Sequence, residues 1–377
     1  MAQKNILIIC GEPSGELHAA TLVSSLKKLR PDWKIFGVGG SLLSNAGAEI
    51  IYNIKDLSVM GLFDVLKKLP RFIALKNRIL QKLEHHKIEA VIFVDFSGFN
   101  LRLAKDINNR IPTIYYVSPQ VWASREARVK TIKKYIRKMI VLFPFEKEFY
   151  KKHGMDVELV GHPLLDIVKS KEDKASLLKA LNFPTEKTTI ALLPGSRKQE
   201  INKILPIMLK AAQLINKKLD AQYIIAKPIQ SERNIYEHIL KKTNLNVAIV
   251  EGKTYECINA ANFCLVCSGT ATLETAIMQK PFLLIYKMNL LNYLLYRPQV
   301  KLPYIGLANI VVGRKIIPEL IQFQATPDKI AKETLSILND PARLEKMHKD
   351  LAEVKTCLGE PGAAIRASHI IIDFLKA

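Results

Sequence analysis

At 377 residues the chain exceeds the size at which a single hydrophobic core stops growing, roughly 250–300 residues, so two domains are expected. Its 56 Lys and Arg against 35 Asp and Glu leave a net charge of +21, which favours an anionic partner: phosphorylated substrate, anionic membrane surface or nucleic acid. The longest apolar runs, such as Phe282–Tyr286, fall far short of the roughly 18 residues of a membrane helix, so any membrane contact is expected to be peripheral.

The chain is expected to alternate short apolar strands with amphipathic helices. Strands are expected at Asn5–Cys10, Lys34–Val38, Ala90–Asp95, Thr113–Val117, Lys138–Leu142 and Glu158–Val160. After a charged, linker-like stretch at Lys169–Lys174 they resume at Thr189–Leu193, Gln222–Ala226, Val247–Val250, Phe263–Cys267 and Pro281–Tyr286. Near-continuous apolar strands separated by helices imply parallel sheets covered on both faces. The expectation is α/β: two doubly wound, Rossmann-like domains facing a cleft. Their bounds are 1–165 and 186–360, and a helix over 361–377 packs back on one of them.

In such sheets ligands bind beyond the carboxyl ends of the strands, where this chain places its unusual turns. They are Gly11–Glu16, Asp95–Asn100, Ser118–Trp122, Pro194–Arg197 and Ser268–Thr270. No G-x-x-x-x-G-K-[ST] is present, Gly37–Leu42 fails the dinucleotide pattern at its last glycine, and Gly11–Gly15 misses the nucleophile elbow by one position. These gaps argue against P-loop NTPases, dehydrogenases and simple hydrolases.

Phe263–Glu274 runs from an apolar strand through Ser268, Gly269 and Thr270 into a helix, whose first N–H groups suit a phosphate. Glu274, one turn in, is placed to accept hydrogen bonds from a ribose. Gly195, Ser196 and Arg197 form a second turn after the first strand of the second domain; guanidinium engages phosphate oxygens in pairs, so a diphosphate clamp is preferred to a solvated arginine. Asp95 ends a strand at the rim, as general base or as turn former, with Glu12 and Glu16 competing for the first role. His18 and His162 read as structural.

The five cysteines, an odd number, and a chain start that reads directly into a strand point to reduced thiols in a cytoplasmic protein. Cys264 and Cys267 have C-x-x-C spacing but lie inside an apolar strand with no second pair, so buried hydrophobes are preferred and no metal site is expected. Over Val59–Leu83, Phe63 and Phe72 stand among Lys67, Lys68, Arg71 and Lys76, a basic face beside an apolar one. That suits a membrane-surface helix, with core packing as the commoner alternative. Nucleic-acid binding is not expected, because the lysines are scattered and lack interleaved aromatics.

Gly11-Glu12-Pro13-Ser14-Gly15-Glu16, Tyr116-Val117-Ser118-Pro119-Gln120-Val121-Trp122-Ala123, Phe143–Glu146, Val160–Pro163, Leu193–Arg197 and Ser268–Glu274 together resemble the lipid-A-disaccharide synthases, glycosyltransferases of GT-B architecture. The resemblance covers nearly the whole chain. It implies transfer from UDP-2,3-diacylglucosamine to 2,3-diacylglucosamine 1-phosphate with inversion, giving a β-1,6 disaccharide and UDP, without a cofactor. It implies Arg197 and Ser268–Thr270 on the diphosphate, Glu274 on the ribose, Asn309 near donor or acceptor, Asp95 as base, and Glu12, Ser14 and Gly15 in the substrate site. It also implies peripheral attachment to the cytoplasmic face of an anionic inner membrane and the possibility of a homodimer. The chain departs from the family's pattern at Gly98, where a second Asp commonly stands.

Overall fold

The computed structural model describes residues 3–53, 62–241, 243–300 and 302–376, apart from the side chains of 62–69, 71 and 296. It forms two compact units: Met1–Asp166 with Pro298–Lys301 and Leu358–Ala377, and Ile167–Arg297 with Leu302–Cys357.

The first unit carries β1 (Asn5–Ile9), β2 (Lys34–Gly39), β3 (Glu49–Asn53), β4 (Ala90–Val94), β5 (Thr113–Tyr116), β6 (Lys138–Val141) and β7 (Glu158–Leu159). They form one parallel sheet in the order β3-β2-β1-β4-β5-β6-β7. The second unit carries β8 (Thr188–Leu193), β9 (Ala221–Lys227), β10 (Val247–Glu251), β11 (Phe263–Cys267), β12 (Phe282–Tyr286) and β13 (Glu319–Ile321), parallel in the order β10-β9-β8-β11-β12-β13. Two doubly wound parallel sheets are thus present. Every residue of β4, β9 and β11 is buried, as strands covered on both faces require; β4 and β11 are unbroken apolar runs, while β9 also buries Gln222 and Lys227.

Two strands escape the apolar-run criterion. β3 and β13 are the last strands at one edge of their sheets, are only partly buried, and carry Glu49 and Glu319.

The helix Ala363–Lys376 packs on Pro13–Leu29 of the first unit and buries Ala363, Ala367, Ser368, Ile371 and Ile372. Arg366 ties it down by donating to the carbonyls of Val160, Glu360 and Pro361, and Asp166 accepts from the Gly362 N–H.

Leu62–His85 is a helix with Pro70 inside it. Its Leu75, Ile79 and Leu83 are buried, Phe72 meets the rings of Phe96 and Phe99 at 6.1 and 6.3 Å, and Lys76 pairs with Asp106 at 2.8 Å. Phe72 and Lys76, both half-buried, thus also make contacts within their own unit. The side chains of Phe63, Lys67, Lys68 and Arg71 lie outside the described residues. No helix among the described residues is long and apolar enough to cross a membrane.

Candidate functional site

A doubly wound sheet reverses its strand order at one point, and the helices diverging there leave a crevice beyond the carboxyl ends of the two central strands. In the first unit that point lies between β1 and β4; in the second, between β8 and β11. The turns that follow these four strands are Gly11–Gly15, Asp95–Gly98, Gly195–Arg197 and Ser268–Thr270.

In the first unit the two turns are fitted to each other. A Cβ on Gly11 would lie 2.2 Å from the Phe96 ring, so glycine is what lets the aromatic cross the turn. One on Gly15 would meet Asp95 Cβ at an ordinary 3.6 Å. Asp95 stands one residue beyond its strand, and it and Phe96 both adopt φ 48°, a left-handed pair that costs on the order of 1–3 kcal/mol per residue. The Asp95 carbonyl is held by the Asn100 amide at 2.8 Å and the Tyr115 hydroxyl at 2.5 Å. Val117, just beyond β5, is likewise left-handed at φ 64°, a rare state for a β-branched residue. Glu12 precedes the helix Pro13–Leu29 as its N-cap, and Ser14, half-buried, lies in its first turn.

Glu16 is withdrawn from catalysis. Its buried Oε1 accepts from the backbone N–H groups of Gly40, Leu42 and Leu43 at 2.9, 2.9 and 3.2 Å, anchoring the short helix Ser41–Asn45.

Sequence reasoning missed Glu146. This buried carboxylate accepts from the Leu142 and Phe143 amides and the Trp122 indole, each at 3.1 Å, and so locks the Ser118–Trp122 turn to the helix Pro144–Lys152. Burial pushes its pKa up to about 7 against the opposing pull of those donors. Trp122, Phe145, Phe143 and His162 continue from it as a ring-to-ring series, with centroids 4.8, 5.2 and 5.1 Å apart. His162 meets His18 edge-on at 5.5 Å, and burial lowers the pKa of both, His18 to about 4.

In the second unit the Gly195 turn already holds an anion. Glu200 Oε2 accepts from the Ser196 and Arg197 N–H groups at 3.2 and 3.3 Å while Oε1 takes the Arg197 guanidinium at 2.9 Å. Gly195 has φ +103°, and a Cβ there would sit 2.5 Å from Glu200 Oε2, so the close approach requires glycine. The clamp is built, but Glu200 occupies it.

The helix Thr270–Ile277 begins at Gly269 with no side-chain cap, and open space surrounds that glycine. Its N-terminus therefore faces outward with the positive end of the peptide dipoles. β8 and β11 pair directly, so the turns that follow them belong to one locality. Glu274, part-buried, accepts from the Tyr255 hydroxyl at 3.0 Å, and burial raises its pKa.

Asn309 is a correction. It is fully buried; its amide donates to Ile317 O and Glu319, and its oxygen accepts from the Ile316 and Ile317 N–H groups. With both ends saturated it pins the loop before β13 and has nothing left for a ligand. Cys264 and Cys267 are buried in β11, their thiol pKa values pushed up by desolvation.

Solved structures of similar fold include a Staphylococcus aureus MnaA–UDP complex, with TM-score 0.67 at 15% identity covering 99% of this chain and 97% of that one. Acinetobacter baumannii MurG follows the fold at TM-score 0.58 and 13% identity, covering 99% and 100%. Among sequences, the lipid-A-disaccharide synthase of Syntrophus aciditrophicus is 39% identical over 100% of this chain and 99% of its own length. That of Myxococcus xanthus is 36% identical over 98% and 97%. The family model for lipid-A-disaccharide synthetase matches residues 6–370, and the chain is a member of that family.

Proposed function

We propose that this chain transfers a 2,3-diacylglucosaminyl group from UDP to the 6-hydroxyl of 2,3-diacylglucosamine 1-phosphate. The new bond joins the acceptor oxygen to the anomeric carbon, the bond to UDP breaks with its electron pair left on the diphosphate, and configuration inverts. Asp95 takes the hydroxyl proton as general base. Glu12, Ser14 and the Gly15 backbone line the acceptor side.

On the donor side, Arg197 leaves Glu200 for the diphosphate, joined by the Ser196 N–H, while the N-terminus at Ser268–Thr270 meets the charge that develops on the leaving group. Glu274 takes the ribose hydroxyls. The observation that carries this reading is the position of all four turns at the two points of strand-order reversal. The substrates are membrane lipids, so the protein works at an anionic inner-membrane surface on the cytoplasmic side, with the 59–83 stretch as its first contact. A homodimer is compatible with this role.

The test is disaccharide formation and UDP release from the two glucosamine lipids in detergent, for wild type and Arg197→Ala. Loss of a hundredfold or more on removing Arg197, with folding intact, is expected for a charge that stabilises the leaving group. UDP binding without disaccharide in the wild type would refute the acceptor assignment and favour a different reaction of the same fold.

A further inference from the structure

The helix Leu290–Tyr296 inverts the usual pattern of a helix packed on a sheet. Leu290, Leu291, Leu294 and Leu295 fall on one face by the i, i+1, i+4, i+5 spacing, and they are 49, 48, 58 and 43% exposed. Phe323, 67% exposed, joins them by an edge-on contact with Tyr293 at 6.1 Å. The helix is fixed in this attitude: the Asn289 side chain accepts from Leu291 N–H, and the Gln322 amide exchanges two hydrogen bonds with the Met288 backbone.

Lys287 and Arg297 stand at the two ends of the helix, and the sequence carries no acidic residue from Thr275 to Pro318. Two other cations of that stretch are engaged elsewhere: Lys280 donates to the Asn259 and Ala261 carbonyls, and Arg314 pairs with Asp350 and Glu353. The next acid, Glu319, turns its carboxylate to the Ile305 and Gly306 amides and to Asn309. Leucines and a phenylalanine between cations complement an anionic bilayer, where acyl chains receive the apolar side chains and headgroups the charges. A second copy of the chain is a poorer occupant. Five side chains present a few hundred Å², within the range of a functional surface patch but below the roughly 800 Å² each partner gives to a standard protein interface.

We propose that the Leu290–Tyr296 helix and Phe323 form a membrane-docking element of the second unit that inserts its leucines into an anionic leaflet. It is separate from the Leu62–His85 helix of the first unit and does not depend on the identity of the sugar substrates.

The experiment uses the full chain and vesicles of phosphatidylcholine with phosphatidylglycerol, containing no glucosamine lipid and no UDP, so its outcome is independent of the transferase reading. Wild type is compared with Leu291→Gln/Leu294→Gln by co-sedimentation, and an environment-sensitive probe on Leu294→Cys is challenged with lipids carrying a quencher in the acyl region. The expected result is partitioning about tenfold weaker in the double variant, with its melting temperature kept, and quenching of the probe that fades as salt is raised. Unchanged partitioning, a wild type that does not bind vesicles, or an unquenched probe on bound protein would overturn the proposal. So would a probe signal that follows protein concentration without vesicles, which would assign the face to a second copy.

Discussion

Replacing Gly98 by Asp tests both the geometry of the β4 turn and the assignment of the base. Gly98 is the second residue of the helix Ser97–Ile107, is exposed, and has nothing within 4 Å of a built Cβ. That helix has no acidic residue in its first turn and no side-chain cap, so its N-terminal charge is unanswered. Exchanging Gly for Asp recovers about 0.3 kcal/mol of helix propensity, and an anion in the first turn adds about 0.3–1 kcal/mol. The sum, about 1 kcal/mol, corresponds to a rise of about 2–4 °C in melting temperature for a unit of this size. Thermal unfolding followed by circular dichroism reads it, and a fall would refute the open space assigned to this position. Turnover in the four combinations with Asp95→Asn then locates the base. Asp95→Asn alone is expected to cost about 10²–10⁴ in rate, with at least about tenfold returned by Gly98→Asp. A loss below tenfold in Asp95→Asn would remove Asp95 from that role.

Stability against pH provides a second test. The Glu146 pKa, raised to about 7, lets the folded protein keep a proton that the unfolded chain releases, so its contribution is full below the ordinary carboxylate range and is lost as pH rises through about 7. His18, lowered to about 4, acts the other way: stability is lost as pH falls from 6.5 towards 4. Between pH 5 and 6.5 the two slopes oppose at about 1.4 kcal/mol per pH unit each, so Glu146→Gln steepens the acid-side fall in urea titrations; an unchanged slope would contradict the assignment. Gly195→Ala is expected to lose about 1–3 kcal/mol through its left-handed φ and the collision with Glu200, and to raise the KM for the UDP-sugar more than it lowers stability-corrected kcat. Ile371→Ala, under the helix Pro13–Leu29, is expected to cost about 2–5 kcal/mol in the unfolding of the first unit, and a cost below 1 kcal/mol would mean the terminal helix is not seated there.

The central strands were legible because a strand covered on both faces must be apolar throughout, as Ile6–Ile9, Val91–Val94 and Cys264–Val266 are. β3 and β13, partly exposed at their sheet edges, carry no such run. The turns were legible as turns from their Gly, Ser and Pro content, and their meeting at two reversal points follows from strand order, which the apolar runs do not encode. Side-chain partners were the hidden part. Nothing local distinguishes Glu16, spent on three amides, from Glu12, or shows that Glu200 fills the clamp formed by Arg197. Asn309 reads as polar and available until Ile316, Ile317 and Glu319 close around it. The left-handed Asp95, Phe96 and Val117 are non-glycine residues in a glycine conformation, which long-range contacts impose and local propensity does not signal.

The return of Leu358–Ala377 to the first unit sets an order of assembly on the ribosome. The residues through Asp166 emerge first, yet the face of Pro13–Leu29 that receives Ile371 stays uncovered until the second unit has been synthesised, about 10–40 s later at bacterial or eukaryotic elongation rates. During that interval the nascent first unit lacks the cover of its last helix, while Ile167–Cys357 emerges nearly contiguous and is able to close its own sheet. The unit made first is therefore the unit finished last.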